Sequence, residues 1–83
     1  MPKIDYMKHF ARDPHICDGQ TVIHGTRVPL RIVLATLADG ETPEDVVRHF
    51  PTVKIEDVWA AIAFAAAAAE EDIPVLGAPT HAG

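Results

Sequence analysis

The stretch Gly19-Gln20-Thr21-Val22-Ile23-His24-Gly25-Thr26-Arg27-Val28-Pro29 carries two turn signals, two short β-prone runs and a helix start. Asp18-Gly19 tolerates positive φ at both central positions of a tight hairpin turn, and Thr21-Val22-Ile23 follows directly. The chain is therefore expected to reverse at Asp18 and Gly19, pairing His15-Ile16-Cys17 with the run from Gln20 to Ile23. A second reversal is signalled at His24-Gly25. Beyond it Thr26-Arg27-Val28 reads as extended, and Pro29 has the fixed φ that suits a helix start. A hairpin or three-stranded ribbon over residues 15–28 this short is not stable alone in water, so helices or a second copy of the chain must cover it.

Working outward, Leu30, Val33, Leu34 and Leu37 fall on one helical face, and Asp39-Gly40 stops that run, giving a helix over 29–39. Thr42-Pro43-Glu44-Asp45 supplies an N-cap threonine, a proline at the first helical position and acidic residues that complement the helix dipole. This helix covers 43–50, with Val46, Val47 and Phe50 inward and Pro51 ending it. Ile55, Val58, Trp59, Ile62, Ala66 and Ala69 place a third helix over 55–72, with Glu56-Asp57 in its first turn and Trp59 expected in the core. Helices two and three, joined by Phe50-Pro51-Thr52-Val53-Lys54, have the outline of a helix-turn-helix. The fold expected is mainly α: a short N-terminal β-hairpin or three-stranded ribbon, then a three-helix unit. Residues 1–72 form a single domain, and 73–83 form a tail anchored by Val75-Leu76. Tyr6 to Phe10 reads as extended, and Asp13-Pro14 as a turn.

Asp13-Pro14, Ile16-Cys17-x-Gly19, Val22-Ile23-x-Gly25-Thr26-Arg27-Val28-Pro29, a helix ending in Asp39-Gly40, Thr42-Pro43-Glu44-Asp45 and a proline before the last helix together resemble the family called domain of unknown function 433. The likeness runs from Asp13 to Ala68, and Gly-Thr-Arg-Val-Pro is its most specific part. It implies a homeodomain-like or winged-helix-like helical domain. It also implies an antitoxin of the VapB-like kind, the neutralising half of a toxin–antitoxin pair whose other half is a PIN-like ribonuclease.

Composition sets limits of its own. A chain of 83 residues buries about 60 to 65% of the surface its unfolded form exposes, so a partner surface would add to a marginal core. The single cysteine, Cys17, excludes an intrachain disulfide, and no apolar run is long enough to span a membrane. With no basic-plus-apolar leader, the expected compartment is the cytoplasm. The net charge of −5 argues against nucleic-acid binding by bulk charge. Between Ile55 and Ile73 there is no Arg, Lys, Asn or Gln to read a base or hold a phosphate. If DNA is bound at all, weakly and by a homodimer, the contacts fall to residues such as Arg48 and Lys54.

The chain has no serine, no Gly-rich phosphate loop and no converging carboxylates, so no enzyme activity is expected, and no cofactor. His15, Cys17 and His24 lack the spacing of a zinc motif and a fourth ligand, so no metal is expected either. What remains is the turn. Asp18, Gly19 and Gly25 are read as its structural residues. Thr26, Arg27 and Arg31, with Val75 and Leu76 of the tail, are the candidates for binding a partner, because a hydroxyl and a guanidinium suit a phosphate or carboxylate. The alternative for Arg27 is an ion pair with an acidic residue of its own chain.

Overall fold

The computed structural model describes residues 5–70. A 3-10 turn at Tyr6–His9 leads into strand β1 (Phe10–Arg12), and a second 3-10 turn at Cys17–Gly19 precedes strand β2 (Thr21–Ile23). Three helices follow: α1 (Leu30–Ala38), α2 (Pro43–His49) and α3 (Ile55–Glu70). The fold is mainly helical with a small antiparallel sheet. The expected end of the third helix at residue 72 and the tail over 73–83 lie outside the described residues.

The sheet pairs differently from the expectation. β2 lies antiparallel to β1, with Phe10 opposite Ile23, Ala11 opposite Val22 and Arg12 opposite Thr21. His15–Cys17 is not its partner. Cys17, Asp18 and Gly19 take φ of 50°, 56° and 80°, and three successive left-handed residues curl the chain instead of leaving extended arms on either side of a two-residue turn. The curl closes on itself, Gly19 N–H donating to Ile16 O at 3.0 Å and Gln20 N–H to Cys17 O at 3.1 Å. Arg12 Nε fastens it to the sheet by donating to Gly19 O at 2.9 Å. Asp18 and Gly19 are turn residues, but of a loop joining β1 to β2. Tyr6–His9, read as extended, is a 3-10 turn whose chain straightens only at Phe10.

The second reversal forms where the sequence places it. Gly25 has φ of 80°, Thr26 N–H donates to Ile23 O at 3.0 Å, and Ile23 N–H donates to Val28 O at 2.9 Å. Val22 and Pro29 make an isolated bridge on the far edge of β2. Pro29 caps α1 instead of opening it, its carbonyl accepting from Ile32 and Val33. Gly40, at φ of 95°, ends α1. In α2, Thr42 and Asp45 form a reciprocal capping box with Pro43 at the first turn.

The core sits where β2 meets the three helices. Ile23, Val33, Val46, Val53 and Val58 are buried, with Leu30 and Ala61 beside them. Each Val, Ile or Leu side chain among them contributes about 1.5–3 kcal/mol relative to exposure. A second seam joins the N-terminal segment to α3, where Phe64 meets Tyr6 and Phe10 edge-on at centroid distances of 6.1 and 5.9 Å.

Trp59 is a correction. It is 48% exposed, while Asp57, Val58, Ala60 and Ala61 are the buried residues of α3. The inward face is turned from the one the spacing suggests, because the alanines make nearly every face of this helix apolar and periodicity no longer discriminates.

Candidate functional site

The turn from Ile23 to Val28 is held from within. Thr26 Oγ1 donates to Ile23 O at 2.8 Å and accepts from Val28 N–H at 3.0 Å, so this hydroxyl completes the turn. Arg27 is next to it and exposed, and its carbonyl accepts from Cys17 Sγ at 3.4 Å, tying the turn to the preceding loop. The Arg27 guanidinium has no hydrogen bond or ion pair among the described residues, so the intrachain pairing considered for it is not seen there. The outcome is a charged side chain on a backbone fixed at both neighbours.

Two grooves meet at this turn. One, of about 740 Å³, has an apolar floor of Ala11, Ile16, Val22 and Val28 with Arg12 and Arg27 at its sides. The other, of about 570 Å³, is lined by Lys8, His9, His24 and Lys54 with Glu56 and Asp57. His24, Gly25 and Thr52 belong to both. Arg31 lies elsewhere, donating from Nε to Gln20 Oε1 at 2.9 Å beside a third hollow that also contains Arg12. Val75 and Leu76 fall outside the described residues. Arg48 is on α2, where it pairs with Asp45 at 3.2 Å, and Lys54 starts α3. The structure therefore brings Arg27 and Lys54 to adjoining grooves and separates both from Arg31 and Arg48.

The sequence places Asp57 only in the first turn of α3, and it assigns His9 no role. Asp57 is 8% exposed, and its two oxygens are both engaged: Oδ2 accepts from Lys54 N–H at 2.9 Å, and Oδ1 lies 2.8 Å from His9 Nδ1. The first bond caps α3, and the second clamps the N-terminal segment to it. The spacing from Lys54 to Asp57 is that of a side chain reaching back to a helix start, a signal present in the sequence. The partnership with His9, 48 positions away, left no local signal.

Asp45 is perturbed by its place in the cap of α2. The hydrogen bond from the Thr42 backbone holds it below its ordinary value of 3.8, helped by the Thr42 hydroxyl and by nearby Arg48 and His49. This belongs to the cap of α2. Among the described residues no group of three or more His, Cys, Asp or Glu is placed to hold a metal ion, and no helix is long and apolar enough to cross a membrane.

Residues 11–65 match the model of the family described as Protein of unknown function (DUF433). The chain belongs to the DUF433 family. The matched span runs from β1 into α3 and includes the Gly25 turn. Among solved structures, the crystal structure of a DUF433 member protein from Anabaena variabilis ATCC 29413 at 2.00 Å resolution is similar, with a TM-score of 0.65 and 25% sequence identity. The likeness covers 76% of this chain and 62% of that DUF433 chain, so the present protein spans less than two thirds of its relative's length. No curated protein matches the chain.

Proposed function

We propose that this DUF433 protein is an antitoxin-like interaction module that binds and neutralises a PIN-like ribonuclease toxin, acting in the cytoplasm and without catalysis of its own. The observation that carries the binding half is Arg27: a guanidinium without an internal partner among the described residues, presented by a turn whose own polar groups are satisfied. A planar fork of this kind suits a partner's carboxylate. The identity of the toxin comes from the family resemblance. The test is co-purification with the product of the neighbouring reading frame. Arg27→Ala is expected to keep the melting temperature of the parent and lose the partner. A variant that melts much lower yet retains the partner in full would make Arg27 a residue of the fold.

The second reading is a dimeric helix-turn-helix DNA-binding regulator, homeodomain-like in its use of α2 and α3. Lys54 at the start of α3 favours it. The absence of Arg, Lys, Asn and Gln along α3 and the pairing of Arg48 with Asp45 weigh against it. DNA titrations at several salt concentrations discriminate: shallow dependence fits the module, whereas a slope equivalent to about six neutralised phosphates per protomer fits the regulator. Self-association is part of both readings. The outer face of α3, where Trp59, Ala63 and Ala66 share helical spacing, offers it a surface. Sedimentation should give a dimer at micromolar concentration, and a monomer throughout would remove this element.

A further inference from the structure

The two grooves at the Gly25 turn mix their charges, with Asp13, Glu56 and Asp57 in the same linings as Lys8, Arg12, Arg27 and Lys54. The third hollow does not. It holds about 270 Å³ between the sheet, α1 and α3, with Leu30, Leu34 and Phe64 as its apolar floor and Arg12 and Arg31 at its rim. No acidic residue lines it, and neither arginine has an ion pair among the described residues. Both are anchored through Nε, Arg12 on Gly19 O and Arg31 on Gln20 Oε1, each at 2.9 Å. The anchoring holds the two guanidiniums in place and leaves their Nη groups without a hydrogen bond among the described residues, ready for carboxylates.

An apolar hollow with a basic rim suits an apolar segment preceded by acids, and this chain carries one. Helix α3 reaches Glu70, and Glu71-Asp72-Ile73-Pro74-Val75-Leu76, which lie outside the described residues, follow it in sequence. The reach is sufficient. Phe64 is about 9 Å back along the helix axis from Glu70 at 1.5 Å per residue, whereas the stretch from Glu71 to Leu76 can span up to about 20 Å. Pro74 disfavours helical backbone at Ile73, so the sequence lets the chain leave the axis of α3 before Val75. A short tether also presents this segment to the hollow at a high effective concentration, an advantage that a separate molecule lacks. We propose that residues 73–76 of the same chain dock in this hollow, Val75 and Leu76 against Leu30, Leu34 and Phe64, with Glu71 and Asp72 drawn to Arg12 and Arg31. The inference is independent of the toxin reading.

The test uses the full chain labelled with carbon-13 and reads nuclear Overhauser contacts between the methyls of Val75 and Leu76 and the ring of Phe64. The parent should show them. Arg31→Glu should lose them, and Arg48→Glu, on α2, should keep them, with the circular dichroism of both variants matching that of the parent. A mixture of labelled and unlabelled chains identifies the occupant. Contacts within one chain support the proposal, and contacts only between chains would overturn it in favour of a second copy. No contact between residues 73–76 and the hollow, or full retention of the contacts in Arg31→Glu, would overturn it as well.

Discussion

Asp57 holds His9 across 48 positions of sequence, Oδ1 to Nδ1 at 2.8 Å, with the carboxylate side chain 12% exposed and the imidazole 20%. The same carboxylate caps α3 through Lys54 N–H. One side chain therefore fixes both where the last helix begins and where the N-terminal segment rests.

Replacing it should cost more than a cap alone. Asp57→Ala is expected to lose about 2–3 kcal/mol, the sum of a helix cap and a partly buried hydrogen bond, while His9→Ala loses about 1 kcal/mol. Urea unfolding of both variants and of the double variant measures the coupling, expected at about 0.5–1.5 kcal/mol. A coupling of zero would mean that the two side chains stabilise the fold independently.

Thr26 separates turn from partner. Thr26→Val keeps the shape and removes both hydroxyl bonds, leaving Val28 N–H without its acceptor, for an expected loss of about 1–3 kcal/mol. Thr26→Ser should restore most of it. Thermal unfolding of the pair checks this, and a stable Thr26→Val protein that no longer binds its partner would return the hydroxyl to the interface.

At Gly25 the constraint is conformational. An added Cβ meets nothing within 4 Å, yet φ is +80°, so Gly25→Val should lose about 1–3 kcal/mol through backbone strain, and Gly25→Ala less. Chemical denaturation of the two variants is the measurement. Equal stability of Gly25→Val and the parent would show that the turn refolds around the side chain.

Trp59, the sole tryptophan, is half exposed. The isolated chain should emit at the red-shifted wavelength of a hydrated indole and be quenched readily by iodide. A blue shift that grows with protein concentration would place a second copy over this face. Trp59→Ala should leave the melting temperature of the monomer nearly unchanged.

The cap of α2 depends on acidity. Asp45 is held below its ordinary value of 3.8, so its contribution is complete above that pH and is lost as pH falls through the lower folded-state value. Circular dichroism should show an acid-induced loss of helix that Asp45→Asn, already lacking the charge, shows less of. Identical acid curves for the two proteins would put the transition elsewhere.

The helices were legible because their signals are local. Thr42-Pro43-Glu44-Asp45 announces a cap, Asp39-Gly40 a stop, and Leu30, Val33, Leu34 and Leu37 a face, each within a few residues. The Gly25 reversal was legible for the same reason. The partner of β2 was not, since Phe10–Arg12 has no alternation of its own and is chosen by the curl at Cys17–Gly19. The orientation of α3 was hidden by its alanines. At the candidate site, Arg27 was visible as a residue type in a turn. The adjoining groove was not, because Lys8 and His9 meet Lys54, Glu56 and Asp57 only when the N-terminal segment folds onto the last helix.

The His9 and Asp57 clamp and the Tyr6, Phe10 and Phe64 seam also set an order of events during synthesis. The N-terminal segment leaves the ribosome early but finds Asp57 and Phe64 only after α3 has emerged, so a nascent chain stopped at α2 lacks the surface that holds this segment. Closure of the domain is a late, long-range step. Translation delivers the Gly25 turn well before the last helix completes the groove beside it, so that groove takes shape only when the whole fold is assembled.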